Sequence, residues 1–481
     1  MRQLTATALD TAKILGASYA DIRIIETRAQ DINVKNGSIG GIGDHYDMGF
    51  GVRVIADGAW GFASSNNVAK KEIEDVTTQA VRIAKASARL KTADVRLAPE
   101  PVYVDRWQTP YVIDPFKVSI EDKLALLYRI DKILRKDKRI GVASGSLSFL
   151  AEHQWLATSE GTFIDQKLLR SGGGYSATAV KDGEAQIRSY PASFRGQYAT
   201  MGWELINSLK FEDHAERVRD EAVALLTAPQ CPSGKTDLIL NGHQLALQIH
   251  ESVGHPSELD RVIGMEANYA GTSFATLEKL GKFKYGSEIV NLVADGTVPT
   301  GLATIGYDDD GVRAQRWHIV KNGIFSGYQT NREVAHVCGD ERSRGCCRAD
   351  GWSNIPMVRN NNLSLMPGDW KFEDLIADTK RGIYMLTNKS WSIDQMRLNF
   401  QFGTEIAYEI KNGKLGRIFK NPTYQGITPE FWGSCDAICN EDYWMLWGVP
   451  SCGKGQPGQM AEMSHGAAPA RFRNVTVGIV K

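Results

Sequence analysis

Lys235-Thr236-Asp237-Leu238-Ile239-Leu240-Asn241-Gly242-His243-Gln244-Leu245-Ala246-Leu247-Gln248-Ile249-His250-Glu251-Ser252-Val253-Gly254-His255-Pro256 changes its hydrophobic rhythm halfway along. Thr236–Leu240 reads as a strand; beyond it Leu245, Ile249 and Val253 recur every four residues, the buried stripe of a helix. Asn241 is placed to cap that helix and Pro256 to stop it. Near its end two imidazoles flank a carboxylate. Neutral His is a common metal ligand, and a Glu beside such a ligand is where a metallohydrolase keeps its general base. The zinc-protease spacing H-E-x-x-H puts both His on one helical face. Here one residue more intervenes, and a five-residue step rotates roughly 140° on a regular helix. Gly254 offers two remedies: the helix ends there, or it carries a π-type turn that returns positions five apart to register.

Outward from this segment, the preceding stretch Ala228-Pro229-Gln230-Cys231-Pro232-Ser233-Gly234 is rich in Pro and small residues and marks a domain boundary. We expect domains at 1–228 and 229–481. A chain of 481 residues exceeds one ordinary core. The first part alternates helical patterns, near 3–15, 68–90, 119–137 and 211–227, with strand-like runs at Ala20–Arg28, Gly49–Ala56, Ile140–Phe149 and Tyr175–Val180. Gly16 suits a helix C-cap, Ser119 with Asp122 a capping box, and Asp57-Gly58 and Lys181-Asp182-Gly183 suit hairpin turns. After residue 285 the chain is mostly strands joined by turns such as Lys321-Asn322-Gly323, Asp308–Gly311 and Lys411-Asn412-Gly413-Lys414. The expected fold is α+β: an N-terminal mixed α/β domain, then a strand-rich domain whose large curved or barrel-like antiparallel sheet carries the His helix.

Composition narrows the function. Lys+Arg and Asp+Glu both number 56, so no global basic field gathers nucleic acid. The N-terminal stretch carries Asp10 and Lys13 inside its apolar pattern and reads as an amphipathic helix, and no run of 18 apolar residues occurs anywhere. Seven cysteines, six of them after residue 330, do not form a secreted disulfide framework. We therefore expect a cytoplasmic protein with no nucleic acid and no membrane among its partners.

Other motifs fail on spacing. Pro232-Ser233-Gly234-Lys235-Thr236 resembles the end of a phosphate-binding loop, but Pro229 stands where the first Gly belongs and a strand follows instead of a helix. Gly40-Gly41-Ile42-Gly43 lacks the dinucleotide spacing. Cys435 and Cys439 have no third cysteine two residues on, and the adjacent Cys346-Cys347 pair does not easily share one tetrahedral ion. A catalytic zinc site usually has three protein ligands plus water. The best third ligand is Cys452, in Gly448–Gln459, which reads as a polar, flexible loop; residue chemistry alone ranks it only slightly above Cys439.

Over essentially its whole length the chain resembles the TldD/PmbA family of metalloproteases, TldD-type subunit. The carrying segments are Gly51–Ser64; His250–His255 with Glu258 and Asp260; Tyr269-Ala270-Gly271-Thr272-Ser273; the block with Arg348, Ala349, Pro356, Arg359 and Asn361; and Cys452-Gly453-Lys454 with Gly458-Gln459. Between Gly433 and Trp447, and over 338–347, the sequence is unusual for the family, and substrate preference is expected to differ there. The resemblance implies a Zn²⁺ ion held by His250, His255 and Cys452, with Glu251 as general base in peptide-bond hydrolysis. It implies an enclosed site reached by extended peptides, which pair with a sheet edge. It also implies a dimer, with a PmbA/TldE-type paralogue or with a second copy. Two rival readings follow: a non-enzymatic modulator of DNA gyrase, and a hydrolase tailoring a small peptidic metabolite.

Overall fold

The computed structural model describes residues 1–478. Its N-terminal half is built on one eight-stranded sheet. The strands run Ala59–Ser65, Ser38–Ala56, Tyr19–Lys35, Ile140–Thr158, Phe163–Lys181 and Val104–Gln108 across the sheet, with Glu184–Tyr190 and Gln197–Ala199 on the side of Phe163–Lys181. Neighbours are antiparallel except Val104–Gln108 beside Phe163–Lys181. Side chains alternate faces with period two. Ile22, Ile24, Ile32 and Val34 therefore point one way, into two apolar clusters roofed by the helices Arg2–Ile14 and Lys70–Ser87 and by Ile120–Leu134 and Phe211–Leu225.

Turn chemistry sets the hairpins. Asp57-Gly58, Asp182-Gly183, Asn322-Gly323 and Asn412-Gly413 all hold positive φ at both residues, the conformation whose twist matches paired strands. The Ser119 hydroxyl accepts from the Asp122 N–H and donates to its carboxylate. Gly16 takes φ 85 after the first helix. The strands outrun their alternating segments: Ala20–Arg28 is part of Tyr19–Lys35, and Gly49–Ala56 is the end of Ser38–Ala56. Ser38–Asp47 is largely exposed on both faces, so no alternation exists there to read.

The C-terminal half is strand-rich. Gly234–Leu240, Ala470–Val477, Thr423–Ile427, Asn399–Lys411 and Arg381–Ile393 pair in that order and close on themselves as a five-stranded barrel. The seam between Arg381–Ile393 and Gly234–Leu240 is parallel; the other pairings are antiparallel. Phe400, Phe402, Tyr424, Phe431 and Phe472 fill the barrel end, with Phe431 stacked on Phe472 at 4.0 Å. Burying each such ring contributes about 1.5–3 kcal/mol. A six-stranded sheet lies alongside, ordered Ile324–Phe325, Arg316–Lys321, Leu292–Asp295, Leu363–Leu365, Gln459–Ala467 and Met445–Lys454, so the last is an edge strand.

Charged pairs join the halves. Arg53 bridges Asp21 of its own sheet and Asp310 (2.8 and 2.6 Å), Arg23 meets Asp309, and Arg188 meets Glu405 at 2.7 Å. These arginines are buried, so removing one partner strands a charge in a low dielectric and costs about 3–5 kcal/mol. No helix among the described residues is long and apolar enough to cross a membrane.

Candidate metal centre

The His helix follows strand Gly234–Leu240 directly. The Asn241 side chain accepts from the Gln244 N–H at 3.0 Å, capping Gly242–Ile249. Leu245, Ile249 and Val253 are fully buried in the barrel core. From His250 to Gly254 the helix widens into a π turn, in which the His255 N–H bonds the His250 carbonyl. Of the two remedies open to Gly254, the π turn is the one adopted. It cancels the rotation that would splay the imidazoles and brings the rings to 4.7 Å. Gly254 is required by crowding: a Cβ there would lie 2.7 Å from the Asn360 side-chain oxygen. Pro256 then leads a short 3-10 turn.

Cys452 arrives from the edge strand Met445–Lys454, not from a loop. The loop reading fails because polarity and glycine content describe the neighbours of the cysteine, whereas the ladder with Gln459–Ala467 sets its backbone. The register of that ladder shifts between Val449 and Cys452, and such an irregularity re-aims side chains. Cys452 Sγ lies 3.4 Å from His255 Nε2, and one donor atom each of His250, His255 and Cys452 lie within 4.8 Å of one another.

The remaining imidazole nitrogens are occupied. His465 Nδ1 faces the Leu363 carbonyl at 3.1 Å, which can only accept, so His465 Nδ1 carries hydrogen and its Nε2 accepts. His250 Nδ1 donates to that Nε2 at 2.8 Å, leaving His250 Nε2 as a lone pair for the centre. His255 Nδ1 donates to Glu258 Oε2 at 2.9 Å, which frees His255 Nε2 likewise. Lys454 sits 3.4 Å from Glu258 and 2.7 Å from Asp260. Cys452-Gly453-Lys454 thus delivers a donor atom to the cluster and, two residues on, the cation that anchors the carboxylate behind His255.

The electrostatics fit a cation. Burial pushes the Cys452 thiol up, but His255 and His250 outweigh it and hold the group well below its usual range. Burial pushes His255 down, yet the Cys452 thiolate and Glu258 raise it to about 9, so a metal ion has to displace the Nε2 proton before that lone pair is available. A thiolate and two imidazole lone pairs are the N/S donor set that borderline-soft zinc takes in sites with an open fourth position. Glu251 is buried beside them; burial raises its pKa, while His255, His250 and Arg397 bring it below the usual value. Its Oε2 meets Arg397 Nη1 at 2.7 Å. His250, Glu251, His255 and Cys452 line one cavity of about 470 Å³, walled by Phe194, Leu247, Trp391 and Trp447.

All four expected site residues therefore converge. Cys439 does not: it packs with Tyr384 and Trp370 behind the barrel. Cys346 and Cys435 are core residues, Cys347 is buried beside Asp308, and all seven cysteines are free. Sequence reasoning missed His465 and Arg397, which sit 215 and 146 residues from their partners. From sequence, Glu258 stands out only through the family resemblance, and its bond to His255 is a finding of the structure.

Profiles of the PmbA/TldA metallopeptidase family match residues 20–84 as domain 1, 113–226 as the central domain and 233–478 as the C-terminal domain. A metalloprotease of Methanocaldococcus jannaschii is 32% identical over 94% of this chain and 95% of its own length. A zinc metalloprotease TldD homologue of Saccharolobus solfataricus is 23% identical over 97% and 98%. In fold, a putative modulator of a DNA gyrase from Thermotoga maritima superposes with TM-score 0.77 at 18% identity, covering 99% of this chain and 100% of that one. TldE of Thermococcus kodakarensis gives 0.73 at 17%, covering 99% and 100%. The fold and the His/His/Cys cluster define a metallopeptidase-like protein with a potential metal centre. The chain belongs to the TldD/PmbA family.

Proposed function

We propose that this chain is a TldD-type catalytic member of its family, a zinc-dependent peptidase that hydrolyses peptide bonds of unfolded proteins or modified peptides. The observation that carries the reading is the convergence of His250, His255 and Cys452, with Glu251 beside them in one cavity. A bound zinc ion supplies Lewis acidity to the scissile carbonyl and makes water easier to deprotonate. Glu251, held ionised, accepts the proton of the attacking water and passes it to the leaving amine nitrogen. A thiolate ligand donates more charge than imidazole, which favours a slow, selective enzyme.

The substrate lies extended along the outer edge of Met445–Lys454, whose residues Val449–Cys452 line the cavity. Backbone pairing of that kind reads little sequence. The chain works in the cytoplasm as two domains, 1–228 and 229–481. Its partner is a PmbA/TldE-type paralogue in a heterodimer, ahead of a homodimer; the TldE structure above supports a shared fold between the two subunit types.

A second reading, a non-enzymatic modulator of DNA gyrase, is favoured by the names of two proteins of like fold, from Thermotoga maritima and Bacteroides thetaiotaomicron. Both are under a fifth identical to this chain, so they speak for the fold alone. A hydrolase tailoring a small peptidic metabolite is the third, suggested by the unusual 433–447 segment.

Glu251→Gln separates them: it keeps the shape of the carboxylate but not its basicity. We expect retained zinc and a loss of peptide hydrolysis on the order of 10²–10⁴-fold. Near-normal turnover makes Glu251 structural. No turnover of peptide libraries by the parent chain, joined to an effect on gyrase supercoiling that the variant shares, establishes the regulator instead.

A further inference from the structure

We propose that Arg397 is a further catalytic residue, binding the negative charge that develops on the scissile carbonyl oxygen; the inference rests on the peptidase reading. Arg397 stands in the turn between barrel strands Arg381–Ile393 and Asn399–Lys411, at φ 62, a left-handed conformation uncommon for a residue other than glycine. Its backbone is fixed on both sides. The Arg397 N–H donates to the Asp394 carbonyl at 3.0 Å, and the Arg397 carbonyl accepts from the Thr428 hydroxyl at 3.0 Å. The Asp394 carboxylate takes the N–H groups of Leu398 and Asn399. These bonds hold the turn, and so the base of the Arg397 side chain, in one place.

The side chain is underused for a structural ion pair. A guanidinium offers five N–H donors in a fork that matches a carboxylate bidentately. Arg397 spends only Nη1 on Glu251. Its Nε is buried with no acceptor, and Nη2 has none among the described residues. The side chain is 13% exposed and lines the cavity that holds the three ligand atoms.

Position selects the oxygen. The water that Glu251 deprotonates attacks the scissile carbon, so the oxygen on that carbon lies next to whatever touches Glu251. A substrate C-terminal carboxylate would lie farther off, by about 3.3–3.6 Å per intervening residue of extended chain. In the step itself a water O–C bond forms, the carbonyl π pair moves onto oxygen, and the water proton goes to Glu251. When the C–N bond breaks, that proton goes to nitrogen and the oxygen pair returns to carbon. Negative charge therefore leaves Glu251 as it appears on oxygen, and one fixed guanidinium serves both without moving.

The test uses the zinc-loaded chain with a cleavable peptide and a phosphinic peptide of the same sequence, a tetrahedral mimic. For Arg397→Met, and for Arg397→Lys, which keeps charge without the fork, we expect unchanged zinc and a kcat fall of about 10²–10³-fold. KM should change less than about threefold, and phosphinic-peptide affinity should fall in parallel with kcat/KM. A binding measurement with the uncleaved peptide, made on Glu251→Gln with and without the Arg397 change, should show little difference. Turnover within about tenfold of the parent, equal losses for both ligands, or loss of zinc in both variants overturns the inference. If the parent cleaves no peptide, the peptidase reading itself falls and takes this one with it; parental cleavage with intact Arg397 variants sinks this one alone.

Discussion

His250 and His465 are joined ring to ring at 2.8 Å, and the Leu363 carbonyl behind His465 dictates which nitrogen holds each proton. Donation runs from the π turn through strand Gln459–Ala467 to Leu363, so the orientation of one imidazole is set by a residue outside the His/His/Cys cluster. His465→Ala should leave His250 free to change tautomer and rotate. Loss of such a supporting hydrogen bond costs about 10–100-fold in metal affinity. Competitive zinc titration measures this; parental affinity would make His465 a packing residue.

Of the three clustered donors, Cys452 is the one that the His helix does not supply. Cys452→Ala should lose most bound zinc, read by elemental analysis of the purified chain. Full occupancy in the variant would remove Cys452 from the centre.

Gly254→Ala introduces a methyl against the Asn360 oxygen, which the Gln329 side chain holds at 2.7 Å. Relief requires unwinding the π turn. A loss of about 1–3 kcal/mol in stability and weaker zinc binding are expected together, by thermal melts and titration. A variant that loses neither shows that the turn has slack.

His243 is buried, and burial, joined by the charge of Arg188, lowers its pKa to about 3. In the unfolded chain it titrates near 6.5. The folded value lies below the unfolded one, so the unfolded state binds the extra proton. Stability from this group is complete above about pH 6.5 and falls as pH drops toward 3, by up to about 1.4 kcal/mol per pH unit. His243→Phe should flatten that part of the acid limb of Tm against pH, and an unchanged slope would show that His243 is protonated in the fold.

The dimer reading is tested by mass measurement of the chain alone and with its paralogue, with activity at each state. A cavity completed by a partner holds a peptide in better orientation. A fully active isolated monomer sinks it.

The helix from Gly242, its Asn241 cap and the pairing of two His with Glu251 were legible because they are local: period, cap and spacing lie within sixteen residues of Asn241. The π turn was one of two options that spacing left open. The barrel was legible only as an expectation of many strands and turns, because closure depends on Arg381–Ile393 finding Gly234–Leu240 in parallel, a pairing without local signal. The flanks Ser38–Asp47 were missed because neither face is buried. His465 and Arg397 looked like any other polar residue on a strand or in a turn, since what distinguishes them is a partner far away in sequence.

The separation of the ligands has a consequence for biosynthesis. Cys452 follows His255 by 197 residues. At roughly 5–20 residues per second of synthesis, on the order of ten to forty seconds pass between the making of the two. Strand Met445–Lys454 must also be laid against Gln459–Ala467 before the thiolate points inward. A nascent chain on the ribosome thus carries both imidazoles long before Cys452 can complete the His/His/Cys cluster. On the peptidase reading proposed above, that delay keeps emerging polypeptides, including its own, away from a finished catalyst.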